Sequence, residues 1–441
     1  MERNALARRL GLFDATMIVM GGIIGAGIFI NPSVVARQVH TPGLILTPWI
    51  VGGVIALAGA FVYAELADRK PDVGGQYAYI RDAFHPMVAF LYGWTLLLVT
   101  QTGGMAAVAM TFAAYFRELT GTSLTTSVLA VGTLLVLTAI NCFGVRAGSN
   151  VQSALMVLKI LAVAVLVAVG AGARVAERAP APPNASPLPL AALAAAMVPV
   201  LFAYGGWQTA SFVSGEMRAP RRDLPRALLI GVLGVVVLYV AVNVICLRVL
   251  GANDLAATTT PASEVMRRVL GPSGGRLIAA GIAVSTVGFL SQGMLTAPRV
   301  YFAMARDGVF FKGVAYVSER SRAPVVAIAV QGIWASVIAL SGRYEQILNY
   351  VVALDAVFFG LTGAALLVLR RREPRSVDGG FRMPGHPWTT IVFVAAFWSL
   401  AVNTVIRNPR SAGIGVLILI AGIPAYLFWH SAPNANFRDG G

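Results

Sequence analysis

Two ionisable side chains lie inside long apolar runs of the sequence. Lys159 lies in VQSALMVLKILAVAVLV, and Asp355 lies in NYVVALDAVFFG. A charge within a membrane span is unfavourable, so such a residue by default indicates a binding site or a transport path. A buried amine can lose its proton, whereas a guanidinium stays charged, and only 3 of the 34 cationic residues are lysines. The sequence therefore favours a functional amine at Lys159 over a lysine that extends to the membrane surface.

Two glycine-rich stretches, GGIIGAGIFI at 21–30 and LFAYGGWQTA at 201–210, interrupt apolar runs. Glycine destabilises a helix interior by about 1 kcal/mol relative to alanine, so each stretch needs an explanation. Close helix packing explains either stretch alone. The same interruption in the first and the sixth apolar run instead indicates two broken helices of an inverted repeat, whose freed backbone groups can hold a ligand.

The elements that must position these residues are membrane-spanning helices. Hydrophobic residues make up 57% of the chain and charged residues only 12%, and the mean hydropathy is +0.75. Runs of roughly 20 residues predict twelve spans, near 15–39, 43–66, 86–116, 124–143, 151–172, 191–215, 226–250, 277–305, 323–341, 345–370, 387–405 and 412–432. Lys159 and Gly25 then both lie near mid-membrane depth.

Cationic residues predict the orientation of these spans. An even number of spans places both termini on one side, and the segments on that side hold about twice as many cations as the opposite segments, which predicts cytoplasmic termini. This asymmetry accounts for the net charge of +15 without a nucleic-acid partner. We therefore predict a multi-pass protein of the cell membrane, inner or plasma, surrounded by the lipid bilayer.

Catalytic and metal-binding patterns are not found in the sequence. The two cysteines, Cys142 and Cys246, fall near the ends of different spans, and the four histidines lie at span ends or in loops. No Ser/His, Asp/Asp or metal-ligand cluster occurs within a span, so we expect no enzyme activity, no cofactor and no metal site.

Several motifs together resemble those of the amino acid/polyamine/organocation transporter superfamily, specifically its L-amino-acid transporter branch. They are GGIIGAGIF, FVYAELADRKPDVGGQYAYIRDAF, the Lys159 span, LFAYGGWQTASFVSGEM, APRVYFAMARDG and the Asn349-Tyr350 start of the tenth span. The resemblance implies an all-α membrane protein with twelve transmembrane helices, arranged as a LeuT-type five-plus-five inverted repeat in which helices 1 and 6 are broken. Residues 1–370 would form the transport core, with repeats at about 12–175 and 190–370, and 371–441 two peripheral helices and a tail.

The resemblance also implies a substrate site at the two breaks. Amides of the first break would hold the substrate carboxylate, carbonyls of both breaks would hold its amino group, and the aromatic ring of Phe202 would close over it. Many relatives have a serine where this chain has Ala26, so the amides must suffice. The implied residues are Ile23, Ile24, Gly25, Ala26, Gly27, Phe202, Ala203 and Gly205.

By the same resemblance, Lys159 takes the place of a sodium ion and ties the fifth span to the first span and to a hydroxyl of the eighth, most simply Ser285. Transport without sodium is the expected consequence. The segment 117–123 lacks the cysteine by which eukaryotic relatives bind a partner glycoprotein, so no disulfide-linked subunit is expected.

Asp355 departs from the pattern of the family, and three interpretations stay open. The carboxyl group can contact a cationic or polar substrate side chain, bind a proton, or make a structural hydrogen bond. Two neighbouring charge pairs, Glu216 with Arg218 and Arg306 with Asp307, are either ordinary charge clusters or latches of an inner gate.

Together with these residues, the resemblance implies a sodium-independent amino acid transporter that works by alternating access, as an exchanger (antiporter) of L-amino acids. Two alternatives are a proton-coupled symporter of amino acids or polyamines and a receptor that binds an amino acid without transporting it.

Overall fold

A computed structural model describes residues 6–173, 190–341, 344–373, 380–407 and 409–431, apart from the side chains of 118, 190, 191, 344–352, 407, 410, 411, 430 and 431. The side chains of Asn349 and Tyr350 therefore lie outside the described residues. The helices are α1 (Leu12–Ile23), α2 (Gly27–Val39), α3 (Pro42–Arg69), α4 (Gln76–Ala83), α5 (Pro86–Thr95), α6 (Gln101–Thr120), α7 (Thr126–Cys142), α8 (Val145–Ala171), α9 (Leu190–Tyr204), α10 (Thr209–Phe212), α11 (Pro220–Ala257), α12 (Pro261–Leu270), α13 (Pro272–Thr296), α14 (Pro298–Arg306), α15 (Val325–Ser341), α16 (Tyr344–Arg372), α17 (Trp388–Arg407) and α18 (Pro409–Ser431).

The described residues contain 9 helical segments long and apolar enough to cross a membrane. They confirm an all-helical membrane protein. Twelve spans were predicted. The three predicted spans that are not among these 9 segments coincide with α7, α9 and α15, which have 17, 15 and 17 residues. The one bridge of extended backbone in these ranges joins Leu10 to Met217 in parallel.

Proline and glycine set many helix boundaries. Seven of the described helices, α3, α5, α11, α12, α13, α14 and α18, begin at a proline. Proline suits the first helical position because the missing N–H would have no intrahelical partner there. At the other end, Gly121 caps α6 with φ 66°, a left-handed conformation that glycine adopts without strain.

Helical structure is interrupted twice where the glycine stretches occur. α1 ends at Ile23, Ile24 is extended with φ −74° and ψ 96°, and α2 begins at Gly27. α9 ends at Tyr204 and α10 begins at Thr209; between them Gly206 has φ 114°. We call residues 24–26 the first break and residues 205–208 the second break.

The two breaks lie at the centre of the helical packing. α1 packs against α8, α11 and α13, whereas α2 packs against α9 and α11. A π-helical turn, Leu96–Thr100, joins α5 to α6. Large apolar side chains on the outer surface, such as Val54, Val136 and Phe428, are more than half exposed, as expected where a protein faces lipid.

Candidate substrate site

The first break leaves backbone donors available at the start of α2. Among the described residues, the N–H groups of Gly25 and Ala26 have no hydrogen-bond partner, and the first amides of α2 have none within their own helix. A Cβ atom at Gly27 would lie 3.4 Å from Ala203 Cβ. The electropositive start of α2 therefore adjoins the end of α9, an arrangement that suits an anion.

The second break touches the end of α1, just before the first break, through glycine. A Cβ atom at Gly206 would lie 2.0 Å from the carbonyl oxygen of Gly22, and one at Gly22 would lie 2.6 Å from the carbonyl oxygen of Gly206. Since any side chain at either position would collide with backbone, both positions require glycine. The GG pairs of the two sequence stretches thus permit the close approach of two backbones.

Lys159 reaches the first break from α8. Its side chain is fully buried, and its ammonium group donates to the carbonyl oxygen of Ile24 and, at 3.5 Å, to that of Gly21. A Cβ atom at Gly288 of α13 would lie 3.4 Å from Lys159 Nζ. The amine therefore lies between α1 and α13, as a tie between these spans requires.

Ser285 does not complete this tie. It lies one turn before Gly288 on α13, but its hydroxyl group is buried and has no hydrogen-bond partner among the described residues. The expected hydrogen bond between Lys159 and Ser285 is thus not formed between these described residues.

Tyr239 joins both breaks, and the sequence reasoning missed it. Its buried hydroxyl group lies 3.0 Å from the carbonyl oxygen of Ile23 and 3.2 Å from that of Ala203, so it donates to one or shares its proton between them. The ring packs against Trp49 and Tyr204. The available signal was a tyrosine in the middle of the apolar run VVVLYVAVNV, because a buried phenol needs a partner.

Asp355 lies on α16, and the neighbours of its carboxyl group are not residues of the two breaks. Its half-buried carboxyl group adjoins Thr100 of the π-helical turn and lies near the phenols of Tyr63 and Tyr92. One turn further along α16, Phe359 stacks on Trp207 of the second break with ring centroids 5.3 Å apart.

The side chain of Phe202 is more exposed than those of its neighbours among the predicted site residues. Its side chain is 39% exposed, whereas Ile23, Ile24 and Ala203 are buried. The structure therefore brings Lys159, Tyr239 and the residues next to the two breaks together. The side chain of Phe202 is more exposed than these residues, and the carboxyl group of Asp355 adjoins Thr100.

Charged groups make buried contacts beside residues 9 and 10, just before α1. Glu216 and Arg299 form a fully buried ion pair with N–O distances of 2.5 and 3.2 Å. The carbonyl oxygen of Glu216 also accepts from the N–H groups of Arg9 and Leu10. Glu216, on the short 3-10 turn Ser214–Glu216, thus forms its ion pair with Arg299 at the start of α14 and not with its sequence neighbour Arg218. Whether these charges are an ordinary cluster or the latch of an inner gate stays a hypothesis.

Asp307 likewise contacts residues other than its sequence neighbour Arg306. Asp307 accepts from Arg81 at 2.7 Å and from Tyr77 at 2.9 Å, and Arg306 lies over the ring of Phe302. Burial lowers the pKa of Arg81, but the hydrogen bond and the charge of Asp307 more than offset this, and the net shift is upward.

A family of known proteins matches nearly the whole chain. The sequence model of the family described as "Amino acid permease" matches residues 10–427. The chain belongs to this family. The predicted membership of the amino acid/polyamine/organocation superfamily is confirmed.

Individual relatives agree with this membership. The permease is 29% identical to the serine/threonine exchanger SteT of Bacillus subtilis, over 96% of this chain and 97% of that protein. It is 30% identical to the mouse large neutral amino acids transporter small subunit 2 and to the mouse Asc-type amino acid transporter 1, over 99% of this chain and 84% of each relative. The permease is a membrane transporter of amino acids and not an enzyme.

Proposed function

We propose that this permease is a sodium-independent exchanger of L-amino acids that works by alternating access. The contact of Lys159 with the carbonyl oxygen of Ile24 is the observation that carries this proposal. In transporters with broken helices, unwound carbonyl groups at the break coordinate the coupling cation. Here the ammonium group of Lys159 donates a hydrogen bond to such a carbonyl oxygen. Transport therefore needs no dissolved cation.

The substrate carboxylate binds the free amides of the first break, at Gly25, Ala26 and Gly27. Two unpaired N–H groups and the positive end of α2 support this assignment. The amino group binds carbonyls at both breaks. Tyr239 leaves room for it, because a carbonyl oxygen accepts two hydrogen bonds. The carbonyl oxygens proposed to accept from the amino group are those of Ile23, Phe202, Ala203 and Gly205.

The proposed architecture has twelve spans, with α7, α9 and α15 as the three short ones, and a five-plus-five repeat within residues 1–370. Residues 371–441 are peripheral. Both termini lie in the cytoplasm, beneath the cell membrane. No disulfide-linked subunit is proposed, although the name of one relative describes it as a small subunit, because Cys246 is fully buried and Cys142 lies at the end of α7.

Proteoliposomes test the exchange mechanism directly. The purified protein is reconstituted with or without a panel of internal amino acids, and uptake of labelled amino acids is measured. We expect uptake only when the vesicles contain an amino acid, with serine, threonine and large neutral amino acids as the first candidates. Uptake into empty vesicles would contradict exchange, and binding without any uptake would favour a receptor.

Asp355 favours a second candidate function, proton-coupled symport of an amino acid or polyamine. Its half-buried carboxyl group has no ion-pair partner among the described side chains. In Asp355→Asn, loss of uptake driven by an acid-outside gradient would support this symport. If the binding free energy of cationic substrates instead weakened relative to that of neutral substrates, by about 1–3 kcal/mol, the carboxylate would be shown to contact the substrate. Asp254→Asn, at an exposed ion pair with Arg268, is the control.

A further inference from the structure

One face of α8 presents polar groups to α1 over several turns. Ser149 donates to Asp14 at 3.1 Å near the start of α1, and Lys159 donates to the first break at its end. Gln152 lies between these two contacts. It precedes Lys159 by two helical turns, or about 10 Å along the axis, so it lies on the side of the break that faces the N-terminus.

Gln152 is fully buried, yet neither end of its amide has a hydrogen-bond partner among the described residues. A Cβ atom at Gly21 would lie 2.0 Å from Gln152 Nε2, so the amide fills the space that this glycine leaves open. A buried polar group without a partner is destabilising by about 1–3 kcal/mol. A methionine of similar shape would avoid this penalty, so packing alone is a poor explanation for glutamine.

A second amide reaches the same glycine pair from α13. Gln292 Nε2 would lie 3.1 Å from a Cβ atom at Gly22, and it donates to the hydroxyl group of Thr209. Thr209 in turn donates to the carbonyl oxygen of Gly206 at 2.7 Å. Polar side chains of α8, α10 and α13 therefore converge on the half of the broken helix that lies before the first break.

We propose that Gln152 and Gln292 form a second, weaker amino acid site on the route from the breaks to the cytoplasm. The inference rests on the proposed function and adds a location to it. A primary amide donates to a carboxylate and accepts from an ammonium group, so it matches both ends of an amino acid zwitterion. Because an amide carries no net charge, it binds the substrate loosely enough for release, as a conduction path requires.

The closed face of the molecule determines which side reaches this site. The ion pair of Glu216 with Arg299 and the bonds of Glu216 to residues 9 and 10 seal the face below it. The site is open to the cytoplasm only after these contacts break. The contact of Gly22 with Gly206 divides the site from the opposite side of the molecule. Gln152 therefore affects substrate that enters from the cytoplasm and not substrate that enters from outside.

Right-side-out and inside-out membrane vesicles test this asymmetry. Both kinds are loaded with unlabelled serine, and the KM for external labelled serine is measured. In Gln152→Met, which keeps the side-chain volume and removes the amide, we expect the KM to rise about 3- to 10-fold in inside-out vesicles and to stay within twofold in right-side-out vesicles. Leu158→Met, on the exposed side of the same helix, is the matched control and should change neither value.

The remaining outcomes overturn the inference. Equal rises in both kinds of vesicle would assign Gln152 to the central site, and no rise in either would assign it to the structure alone. A rise only in right-side-out vesicles would also contradict it. Should Gln152→Met not reach the membrane, Gln152→Ser replaces it in the same measurement. Absence of serine exchange in the unchanged protein would instead overturn the proposed function.

Discussion

The two helix breaks satisfy their backbone groups in different ways. At the first break, a partner comes from a distant helix, since Lys159 of α8 donates to the carbonyl oxygen of Ile24. The hydroxyl group of Tyr239 of α11 lies within hydrogen-bond distance of the carbonyl oxygens of Ile23 and Ala203, and so serves the helix ends beside both breaks. At the second break, the hydrogen bonds of Gly206 come from the break itself and the next turn. There Gly206 N–H donates to the side chain of Gln208 at 3.0 Å, and Thr209 donates back to Gly206 at 2.7 Å.

This difference determines which break a helix movement disturbs. When α1 shifts relative to α8 and α11, the hydrogen bonds of the first break must break or follow, because their donors belong to other helices. The second break keeps its local bonds whenever α9 and α10 move together. We therefore infer that the first break responds to the arrangement of the bundle, whereas the second behaves as a preformed turn. Four predictions test this comparison, from the largest effect to the smallest.

Removing the amine of α8 should have the largest effect. Lys159→Met takes away a charged donor from the first break, an interaction typically worth about 1.5–3 kcal/mol. We expect exchange to fall by about 10- to 100-fold, because each 1.4 kcal/mol is roughly a factor of ten in rate. The measurement is the initial rate in proteoliposomes at saturating substrate, with Leu158→Met as the control. A rate within twofold of the unchanged protein would refute the dependence on α8.

Removing the phenol of α11 should have an intermediate effect. Tyr239→Phe deletes a single neutral donor worth about 1 kcal/mol, so we expect exchange to fall about fivefold. Tyr204→Phe is a matched control, because the hydroxyl group of Tyr204 donates at 3.0 Å to the backbone carbonyl oxygen of Trp49 in α3 and not to a residue of the breaks. Equal losses in the two variants would show that packing of the aromatic cluster, and not the break, explains the effect.

Removing a local partner of the second break should change transport least among the substitutions. In Gln208→Leu the N–H of Gly206 loses its acceptor, but the turn keeps its hydrogen bond from Thr209. We expect the rate to stay within twofold and the Tm in detergent to fall by about 1–2 °C. A loss of transport larger than that of Tyr239→Phe would reverse the comparison between the two breaks.

Replacing sodium should have no effect. With Lys159 on the carbonyl group of Ile24, exchanging external sodium for choline leaves that contact unchanged. We expect equal initial rates in the two media at constant ionic strength. A severalfold lower rate in choline would mean that a dissolved cation completes the first break.

Local features of the fold were predictable from the sequence, because each depends on residues close together in the chain. Glycine pairs located both breaks, and apolar runs located the helices. Helix length was harder to predict. The turns on either side of α7 and α15 set their ends, and each of these helices has only 17 residues.

Contacts between distant residues were not predictable in the same way. The partner of Glu216 is Arg299 and not its sequence neighbour, because a buried carboxylate pairs with the cation that faces it across the bundle. Tyr239 was missed because a lone tyrosine in an apolar run resembles a core residue. The environment of Asp355 depends on the π-helical turn at Leu96–Thr100, which leaves no clear signal in the sequence.

The bridge between Leu10 and Met217 has a consequence for biosynthesis. A ribosome makes Leu10 about two hundred residues before its partner, so the N-terminal segment waits unpaired while the first half of the chain enters the membrane. Leu10 finds its partner only after the segment that follows the second break has emerged. A translation intermediate truncated before residue 216 would therefore leave Leu10 accessible to proteases, whereas the finished protein buries this side chain completely.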